Sequence, residues 1–276
     1  MKKVCILGSS SYVAKGLIRN FERNKNYDLT LLSRIHNNLN GIDNKYDVII
    51  NCIYDHSNPF FISEKYDNII IENLIRYPDT LYIFFSSGAV YGKGFKNIKN
   101  PFTTIDMNNI QSEDYYYINK IYTEAKHRSL SDLNIVDIRL FGYFSRDIDL
   151  NSHYLLANII NSIKNNTVLK TDHENIFRDY IHPDDLFALL ECCIKQEKIN
   201  TYYDSYSSNF ISKADLFDIF TEKYNLKYEF TANLETVDTT GFKKFYFSTN
   251  KKAGDIGYIP KFSSERTILE EMSFIS

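Results

Sequence analysis

The feature that most constrains the fold is an alternation of short, β-branched apolar runs with longer amphipathic stretches in the first half of the chain. The apolar runs are continuous, which is typical of strands in a parallel sheet that is covered on both faces. The predicted strands are Val4–Leu7, Leu29–Ser33, Val48–Cys52, Leu81–Ser86 and Val136–Arg139. The predicted helices between them are Val13–Asn24, Phe61–Arg76 and Asp114–Leu130.

The second half of the chain is less regular. A strand is predicted at Tyr180–His182 and a helix at Asp184–Ile194, after Pro183. Further elements are predicted at Ser212–Tyr224, Tyr228–Phe230 and Tyr246–Ser248, with a final helix near Glu265–Met272. With right-handed crossovers, we expect an α/β fold: a Rossmann-type, doubly wound parallel sheet with a smaller, mixed α/β C-terminal region. Ligands of such sheets bind at the carboxyl ends of the strands.

Composition limits the partners of this chain. The 276 residues carry a formal charge of −3, which gives no basic footprint for nucleic acid or an anionic membrane. No segment approaches the roughly 18 uninterrupted apolar residues of a membrane helix. We therefore expect neither a nucleic-acid partner nor a membrane partner.

The four cysteines do not have metal-ligand spacing. Cys5 and Cys52 lie in strand-like runs, while Cys192 and Cys193 are adjacent in a helix-like run. A helix directs neighbouring side chains differently, so the adjacent pair does not form a ligand pair. We expect no metal site, and buried, reduced thiols in a cytoplasmic protein.

A turn of small residues follows the first strand. Gly8 is followed by Ser9, Ser10, Ser11, Tyr12 and Val13, and the predicted helix begins there. Such a turn lets backbone N–H groups and the helix dipole meet a pyrophosphate. Gly8, Ser10, Ser11, Tyr12 and Val13 are the candidate contacts, and a purely structural turn is the alternative.

The residues at the end of the second strand indicate whether a fold of this kind would bind NAD(H) or NADP(H). Folds that select NAD usually place an acidic residue there, but this chain has Ser33 and Arg34. The Arg34 guanidinium is suited to clamping a 2′-phosphate. NADP(H) is therefore favoured over NAD(H), and an ordinary solvated arginine is the alternative.

A Tyr-x-x-x-Lys spacing, Tyr116 to Lys120, falls on a predicted helix that Ser112 would cap. Residues four apart share a helix face, so the Lys120 ammonium can lie near the phenol. A free phenol has a pKa of about 10, and lowering it by about 3 units requires about 4 kcal/mol of differential stabilisation. We expect Lys120 to supply it and Tyr116 to exchange a proton with an alcohol or ketone. Ser87, at a strand end, could hydrogen-bond the same oxygen.

Read in order, the motifs resemble the extended branch of the short-chain dehydrogenase/reductase superfamily, which contains nucleotide-sugar epimerases, dehydratases and ketoreductases. The turn is similar to that superfamily's Gly-x-x-Gly-x-x-Gly, with Ser11 and Ala14 in place of the second and third glycines. The motifs that carry the resemblance are Ser86–Gly92, Tyr116–Lys120, Arg139–Phe144, Arg178–Leu186 and Ser248–Pro260.

The resemblance implies roles for single residues. Ser87, Tyr116 and Lys120 correspond to the catalytic triad, and Lys120 also to the residue that holds the nicotinamide ribose. Arg178 matches an arginine that contacts the nucleotide diphosphate, with Tyr180 beside it, and an internal Arg178–Asp179 ion pair is the alternative. The positions expected to line the cofactor are Cys52, Ser86 and Tyr143.

The resemblance also implies that different parts of the chain bind the cofactor and the substrate. A dinucleotide-binding domain is expected at 1–145, with 176–200 returning to it. The substrate-binding region is expected at 146–175 and 201–276. Members of this branch often dimerise through two helices per subunit, so a homodimer through Phe61–Arg76 and Asp114–Leu130 is expected.

Two residues limit which reactions of this branch the chain is expected to catalyse. Gly88 and Ala89 stand where dehydratases of this branch carry an acid pair, so a dehydratase is disfavoured. The favoured function is NADPH-dependent reduction of a nucleotide-linked 4-keto-6-deoxy-hexose, giving an activated deoxysugar for surface polysaccharide such as O-antigen. One alternative is an NAD-dependent nucleotide-sugar epimerase. Another is a cofactor-binding regulator that has lost catalysis.

Overall fold

The computed structural model describes residues 1–33, 41–53, 59–92, 110, 114–231 and 243–275, without the side chains of 59–60. The strands are β1 (Lys2–Leu7), β2 (Tyr27–Leu32), β3 (Val48–Asn51), β4 (Leu81–Ser87), β5 (Ile135–Leu140), β6 (Val168–Thr171), β7 (Phe177–Arg178), β8 (Asn200–Asp204), β9 (Ile211–Ser212), β10 (Lys227–Phe230) and β11 (Phe245–Tyr246). The helices are α1 (Tyr12–Arg23), α2 (Pro59–Arg76), α3 (Tyr115–Ser129), α4 (Leu155–Lys164), α5 (Pro183–Ile194), α6 (Lys213–Tyr224) and α7 (Ser264–Met272).

A six-stranded parallel sheet in the order β2-β1-β3-β4-β5-β8 forms the larger part of the fold. The strand order reverses between β1 and β3, as in a doubly wound sheet, so the predicted fold class is confirmed. Leu7 is opposite both Leu32 and Asn51, and Ser87 is opposite Leu140. The carboxyl ends of these strands therefore lie at one edge, where the candidate residues follow them.

Both faces of the sheet are buried, which explains the continuous apolar runs. On one face, Val4 and Ile6 pack in a core with side chains of α1 and α5. On the other face, Cys5 and Leu7 pack with Ile70 and other side chains of α2. Because successive side chains of a strand point to opposite faces, every position of β1 from Val4 onward has to be apolar.

The C-terminal half adds a smaller unit beyond that edge. It contains a two-stranded sheet, β10-β6, and a three-stranded sheet, β11-β7-β9. Phe144, Ile160, Phe220 and Ile268 lie in its separate apolar core. The sixth strand of the main sheet, β8, crosses the predicted boundary at residue 200, and the division into two domains stays a prediction.

Two predicted strands of this half are wrong in part. Tyr180–His182 is not a strand, since Ile181 makes only an isolated bridge with Tyr143. The reason is that His182 caps α5 by accepting the Asp184 N–H at Nδ1 (3.1 Å). The predicted strand Tyr246–Ser248 ends at Tyr246, because the Ser248 hydroxyl accepts the Asn250 N–H and turns the chain.

Candidate active site

The turn after β1 requires a glycine at its first position. Gly8 has φ +73°, and a Cβ there would lie 2.9 Å from the backbone C and O atoms of Cys52. The N–H groups of Gly8 and Ser9 both donate to the Leu32 carbonyl, at 2.9 and 3.2 Å. The turn therefore passes directly over the ends of the neighbouring strands.

Ser11, which replaces a glycine of the expected pattern, fits this turn without strain. Its φ of −70° and ψ of 157° suit any L-residue, and its hydroxyl accepts the Ala14 N–H at 3.3 Å. Other amides in the first turn of α1 lack intrahelical acceptors, and the helix dipole favours an anion there. The cofactor's pyrophosphate fits this arrangement, because the close turn at Gly8 brings backbone to it.

The other predicted cofactor residues gather around the turn. Ser10 is exposed and Val13 half-buried, while Ser33 is buried beside the turn. The Cys52 thiol is buried against the Ser11 hydroxyl, and burial raises its pKa. The remaining residue, Arg34, lies outside the described residues.

Tyr12 and Tyr143 connect α1 to the loop after β5. The Tyr12 hydroxyl accepts the Ser145 N–H at 2.8 Å. The two tyrosine rings meet edge to face, with their centroids 5.0 Å apart. A Cβ at Gly16 would overlap the Tyr143 hydroxyl. Tyr143 therefore lies in the core against α1, and a contact with the cofactor stays a prediction for it.

Ser87, Tyr116 and Lys120 come together at the carboxyl end of β4. Ser87 ends that strand and accepts the Ala89 N–H at 3.1 Å. Tyr116, in the first turn of α3, shares a hydrogen bond with the Ser87 side chain. The Lys120 ammonium lies one turn further on, 5.9 Å from the centroid of the Tyr116 ring. The three side chains therefore lie near one another at this strand end.

The expected lowering of the tyrosine pKa is wrong for the protein in this state. Burial raises the pKa of Tyr116, and the hydrogen bond with Ser87 only opposes that rise. The Lys120 ammonium instead donates to the Phe85 carbonyl at 2.9 Å, and burial lowers its pKa to about 8. Burial therefore disfavours the Tyr116 phenolate in the protein without cofactor. Ser112, the predicted cap, lies outside the described residues, and Asp114 precedes α3 without a side-chain cap.

A buried ion pair holds α3 against the sheet. The Arg139 guanidinium, on β5, donates to both carboxylate oxygens of Glu124, with its shortest bond at 2.6 Å. The Ser86 hydroxyl donates to the same carboxylate at 2.5 Å. Ser86 is therefore engaged by the protein itself, and its contact with a cofactor stays a prediction.

A second buried network lies beneath the triad and was not predicted. His127, on α3, bridges Asp67 of α2 and Asp137 of β5, with distances of 2.9 and 2.6 Å. Burial alone would lower the pKa of His127, but the two carboxylates outweigh it and raise the pKa to about 9. The imidazolium ties three elements together.

Tyr246 is the site residue that sequence reasoning missed. Its hydroxyl lies 3.0 Å from the Ser87 Oγ, and its ring packs on Phe141 with a centroid distance of 5.3 Å. It is distant in sequence and lies in no motif, so only the shared edge of β11 and β7 brings it to the site.

Arg178 lies opposite Tyr246 on the neighbouring strand. Its Nη1 donates to the carbonyls of Phe177 and Lys243, at 2.9 and 2.8 Å, and its guanidinium carbon lies 6.0 Å from the Tyr246 ring centroid. The alternative, an ion pair between Arg178 and Asp179, is not formed. The Asp179 carboxylate instead accepts hydrogen bonds from the Ser207 N–H and the Ser264 hydroxyl.

Tyr180 lies close to Arg178, and both border a narrow packing gap beside Leu155 and Ile211. Gly88 follows Ser87 with its Cα against Phe141, where a Cβ would overlap that ring. Neither Gly88 nor the buried Ala89 can transfer a proton.

Three further features concern metals, membranes and thiols in the described part of the chain. No group of three or more His, Cys, Asp and Glu side chains there could hold a metal ion. None of the helices described above is long and apolar enough to cross a membrane. The four cysteines are free thiols.

Solved structures share the fold over nearly the whole chain. UDP-glucose 4-epimerase from Thermotoga maritima, solved with UDP-glucose, has a TM-score of 0.79 at 13% identity, with 99% of this chain and 98% of that chain covered. UDP-glucuronic acid 4-epimerase from Bacillus cereus, solved with UDP-glucuronic acid and NAD, gives the same values. dTDP-glucose 4,6-dehydratase from Bacillus anthracis, in complex with NAD, has a TM-score of 0.76 at 12% identity, with 99% and 96% covered.

Comparison with protein sequences and families identifies the family of this chain. No curated protein sequence is similar enough to this chain to count as a match. A family described as "NAD dependent epimerase/dehydratase family" matches residues 65–204, just over half of the 276 residues. The matched segment contains Ser87, Tyr116, Lys120 and Arg178. The chain belongs to the NAD dependent epimerase/dehydratase family.

Proposed function

We propose that this protein is a cytoplasmic enzyme that reduces a nucleotide-linked 4-keto-6-deoxy-hexose with NADPH, making an activated deoxysugar for surface polysaccharide. The observation that carries the proposal is the cluster of Ser87, Tyr116 and Lys120 at the carboxyl end of β4, where the Tyr116 hydroxyl shares a hydrogen bond with Ser87. A ketone oxygen needs a proton when its carbon receives a hydride. The Tyr116 hydroxyl is placed to supply that proton.

Each residue of the triad has a separate task in this reaction. A nicotinamide cofactor supplies the hydride when bound. Tyr116 gives its proton to the sugar oxygen, while the Ser87 hydroxyl donates a hydrogen bond to that oxygen as its negative charge develops. Lys120 is buried beside the ring, where its positive charge favours the phenolate left behind. The same contacts serve the reverse reaction.

The nucleotide end of the substrate is assigned to Arg178. Its guanidinium is held by two backbone carbonyls beside the Tyr246 ring, close to Ser87. A planar, fixed guanidinium matches the oxygens of a diphosphate. Tyr180 lies close to Arg178 and is assigned to the substrate as well.

The cofactor is assigned to the turn at Gly8 and the N-terminus of α1. Ser10, Ser11, Tyr12 and Val13 surround that position, and Ser33 and Cys52 lie at the neighbouring strand ends. The preference for NADP(H) rests on Arg34, which follows Ser33 where an acidic residue would favour NAD. Because the Bacillus structures named above contain NAD, both cofactors belong in the test.

A nucleotide-sugar epimerase is the second candidate. It is favoured by the family match and by the two epimerases that share the fold. An epimerase regenerates its NAD in every cycle and begins by taking a proton from a sugar hydroxyl. In that reaction Tyr116 would act first as a base, with the Lys120 charge favouring its phenolate, so the fate of the cofactor separates the two candidates.

The test follows NADPH and NADH absorbance in purified protein. The substrates are 4-keto-6-deoxy sugars bearing dTDP, CDP, GDP or UDP, generated in place by the matching dehydratases. We expect oxidation of NADPH with one nucleotide. NAD retained through purification, with interconversion of sugar epimers and no net oxidation, would establish the epimerase instead. A regulator without catalysis would bind cofactor and show neither reaction.

A homodimer is proposed on the helices α2 and α3. Both carry exposed apolar side chains: Phe61 and Ile75 on α2, and Tyr115 and Tyr122 on α3, with 61, 67, 59 and 43% of their surfaces exposed. Burying such side chains between two copies would stabilise the pair. Sedimentation velocity tests it, with Ile75→Glu expected to give a monomer.

A further inference from the structure

The hydrogen-bonding capacity of Ser87 is nearly filled by the protein. Its Oγ accepts the Ala89 N–H at 3.1 Å and lies 3.0 Å from the Tyr246 hydroxyl. It also shares a hydrogen bond with Tyr116. A serine hydroxyl has one proton to donate and two lone pairs that accept. The direction of each of these hydrogen bonds decides whether the Ser87 hydroxyl can donate to a substrate.

The Tyr246 hydroxyl is oriented by the same backbone. Its oxygen accepts a hydrogen bond from the Ala89 backbone, whose N–H also reaches Ser87. The Tyr246 O–H lies 3.0 Å from the Ser87 Oγ and can donate its proton to it. With the Ala89 N–H on one lone pair and the Tyr246 O–H on the other, Ser87 has only its own proton to offer.

We propose that Tyr246 is a positioning residue that makes Ser87 an obligate donor, so that the serine proton is directed at Tyr116 in the free protein and at the sugar carbonyl oxygen in the complex. This inference rests on the proposed function of the site. It adds a residue to the reaction that lies outside the triad. A Ser87 hydroxyl that could rotate would accept a hydrogen bond part of the time instead of donating one. The carbonyl or oxyanion of a substrate needs a donor.

The strand pair that holds Tyr246 also holds the nucleotide-binding arginine. Tyr246 is opposite Arg178 in the pairing of β11 with β7. The Lys243 ammonium lies 4.7 Å from the Tyr246 ring centroid, and the Phe141 ring supports the other side. A diphosphate bound by Arg178 would therefore fix the strand that aims Ser87. The pairing of Tyr246 with Arg178 would therefore connect binding of the diphosphate to polarisation of the sugar carbonyl.

A double-mutant cycle between Ser87 and Tyr246 tests the proposal in the active enzyme. Tyr246→Phe removes one oxygen and keeps the ring on Phe141. We expect it to lower kcat about tenfold with KM unchanged, which corresponds to one lost hydrogen bond. In a Ser87→Ala background the same change should have no further effect. Tyr77→Phe, before β4 at the opposite edge of the sheet, is the matched control and should keep full activity.

A measurement without substrate separates this proposal from the proposed function. In protein labelled with 13C at the tyrosine Cζ, the Tyr116 signal is identified by its loss in Tyr116→Phe. We expect Tyr246→Phe to raise the pKa of Tyr116 by about half a unit to one unit, because Ser87 then donates to it less. Ser87→Ala should raise it too, and the double variant no further.

Two results would overturn the proposal. A Tyr246→Phe variant that leaves the Tyr116 pKa unchanged or lowers it would show that Ser87 is not held as a donor. A tenfold loss of kcat that persists in the Ser87→Ala background would mean that Tyr246 acts on the substrate by itself. If no nucleotide sugar is turned over, the substrate-free titration still decides between these results.

Discussion

The Glu124 carboxylate, on α3, is bonded by the Arg139 guanidinium of β5, with the shortest distance 2.6 Å. Both side chains are nearly buried, with 9 and 11% of their surfaces exposed. This pair fixes the distance between the helix that carries Tyr116 and Lys120 and the strand beside Ser87. The position of the triad therefore depends on a pair of residues that takes no part in chemistry.

Glu124→Gln should lower the free energy of unfolding by about 3 kcal/mol, because it removes the carboxylate that bonds the buried Arg139 guanidinium most closely and leaves only Asp204, at 3.8 Å. Urea denaturation measures the change. Glu229→Gln is the control, since the Lys170–Glu229 pair is exposed and should contribute little. Equal and small effects of the two substitutions would contradict the role given to the buried pair.

Tyr116→Phe should lower kcat by about two to four orders of magnitude, because it removes the proton donor. Cofactor binding, measured by fluorescence titration, should remain. The control is Tyr77→Phe, which removes a hydroxyl at the other edge of the sheet. If Tyr116→Phe keeps more than a tenth of the activity, another group must donate the proton.

Gly8→Ala should destabilise the protein and weaken cofactor binding. The positive φ costs about 1 kcal/mol or more for any L-residue, and the new Cβ meets the Cys52 backbone at 2.9 Å. Gly257→Ala is a matched control, because its φ is +88° and a Cβ there meets nothing within 4 Å. Unfolding and cofactor titrations of both variants separate backbone strain from contact. Equal losses in the two variants would contradict the close approach at the turn.

The His127 network should make stability depend on pH. The pKa of His127 is about 9 in the folded protein and about 6.5 when unfolded. Its contribution is therefore complete below pH 6.5 and is lost as the pH rises through 9, with a magnitude of roughly 3 kcal/mol. The quantity to measure is the difference in unfolding free energy between the protein and His127→Gln, which should shrink over that range. His153→Gln, on the surface, should show no such trend, and a constant difference for His127→Gln would refute the assignment.

The local patterns predicted much of the fold and the triad. The strands β1, β3 and β4 could be predicted because they carry runs of residues that are apolar on both faces. Tyr116 and Lys120 lie four positions apart on one helix, so their proximity follows from helical geometry. Ser87 ends a strand whose carboxyl edge is the binding edge of a parallel sheet.

The remaining features depend on contacts that no local pattern records. β8, with the sequence Asn-Thr-Tyr-Tyr-Asp, joins the main sheet through β5 although it is not an apolar run. Tyr246 meets Ser87 across 159 positions of sequence. The direction of the Tyr116 pKa shift depends on burial, and the Lys120 ammonium donates to the Phe85 carbonyl. Such contacts are set by the tertiary structure.

In the proposed reaction, a hydride passes from NADPH to a nucleotide-linked keto sugar while Tyr116 supplies the proton. This transfer can be followed with NADPH deuterated at the transferable position and mass spectrometry of the sugar product. We expect one deuterium at the former carbonyl carbon of the product, and none with Tyr116→Phe. A product without deuterium, or NADPH that is not consumed with any of the four nucleotides, would refute the proposed reaction.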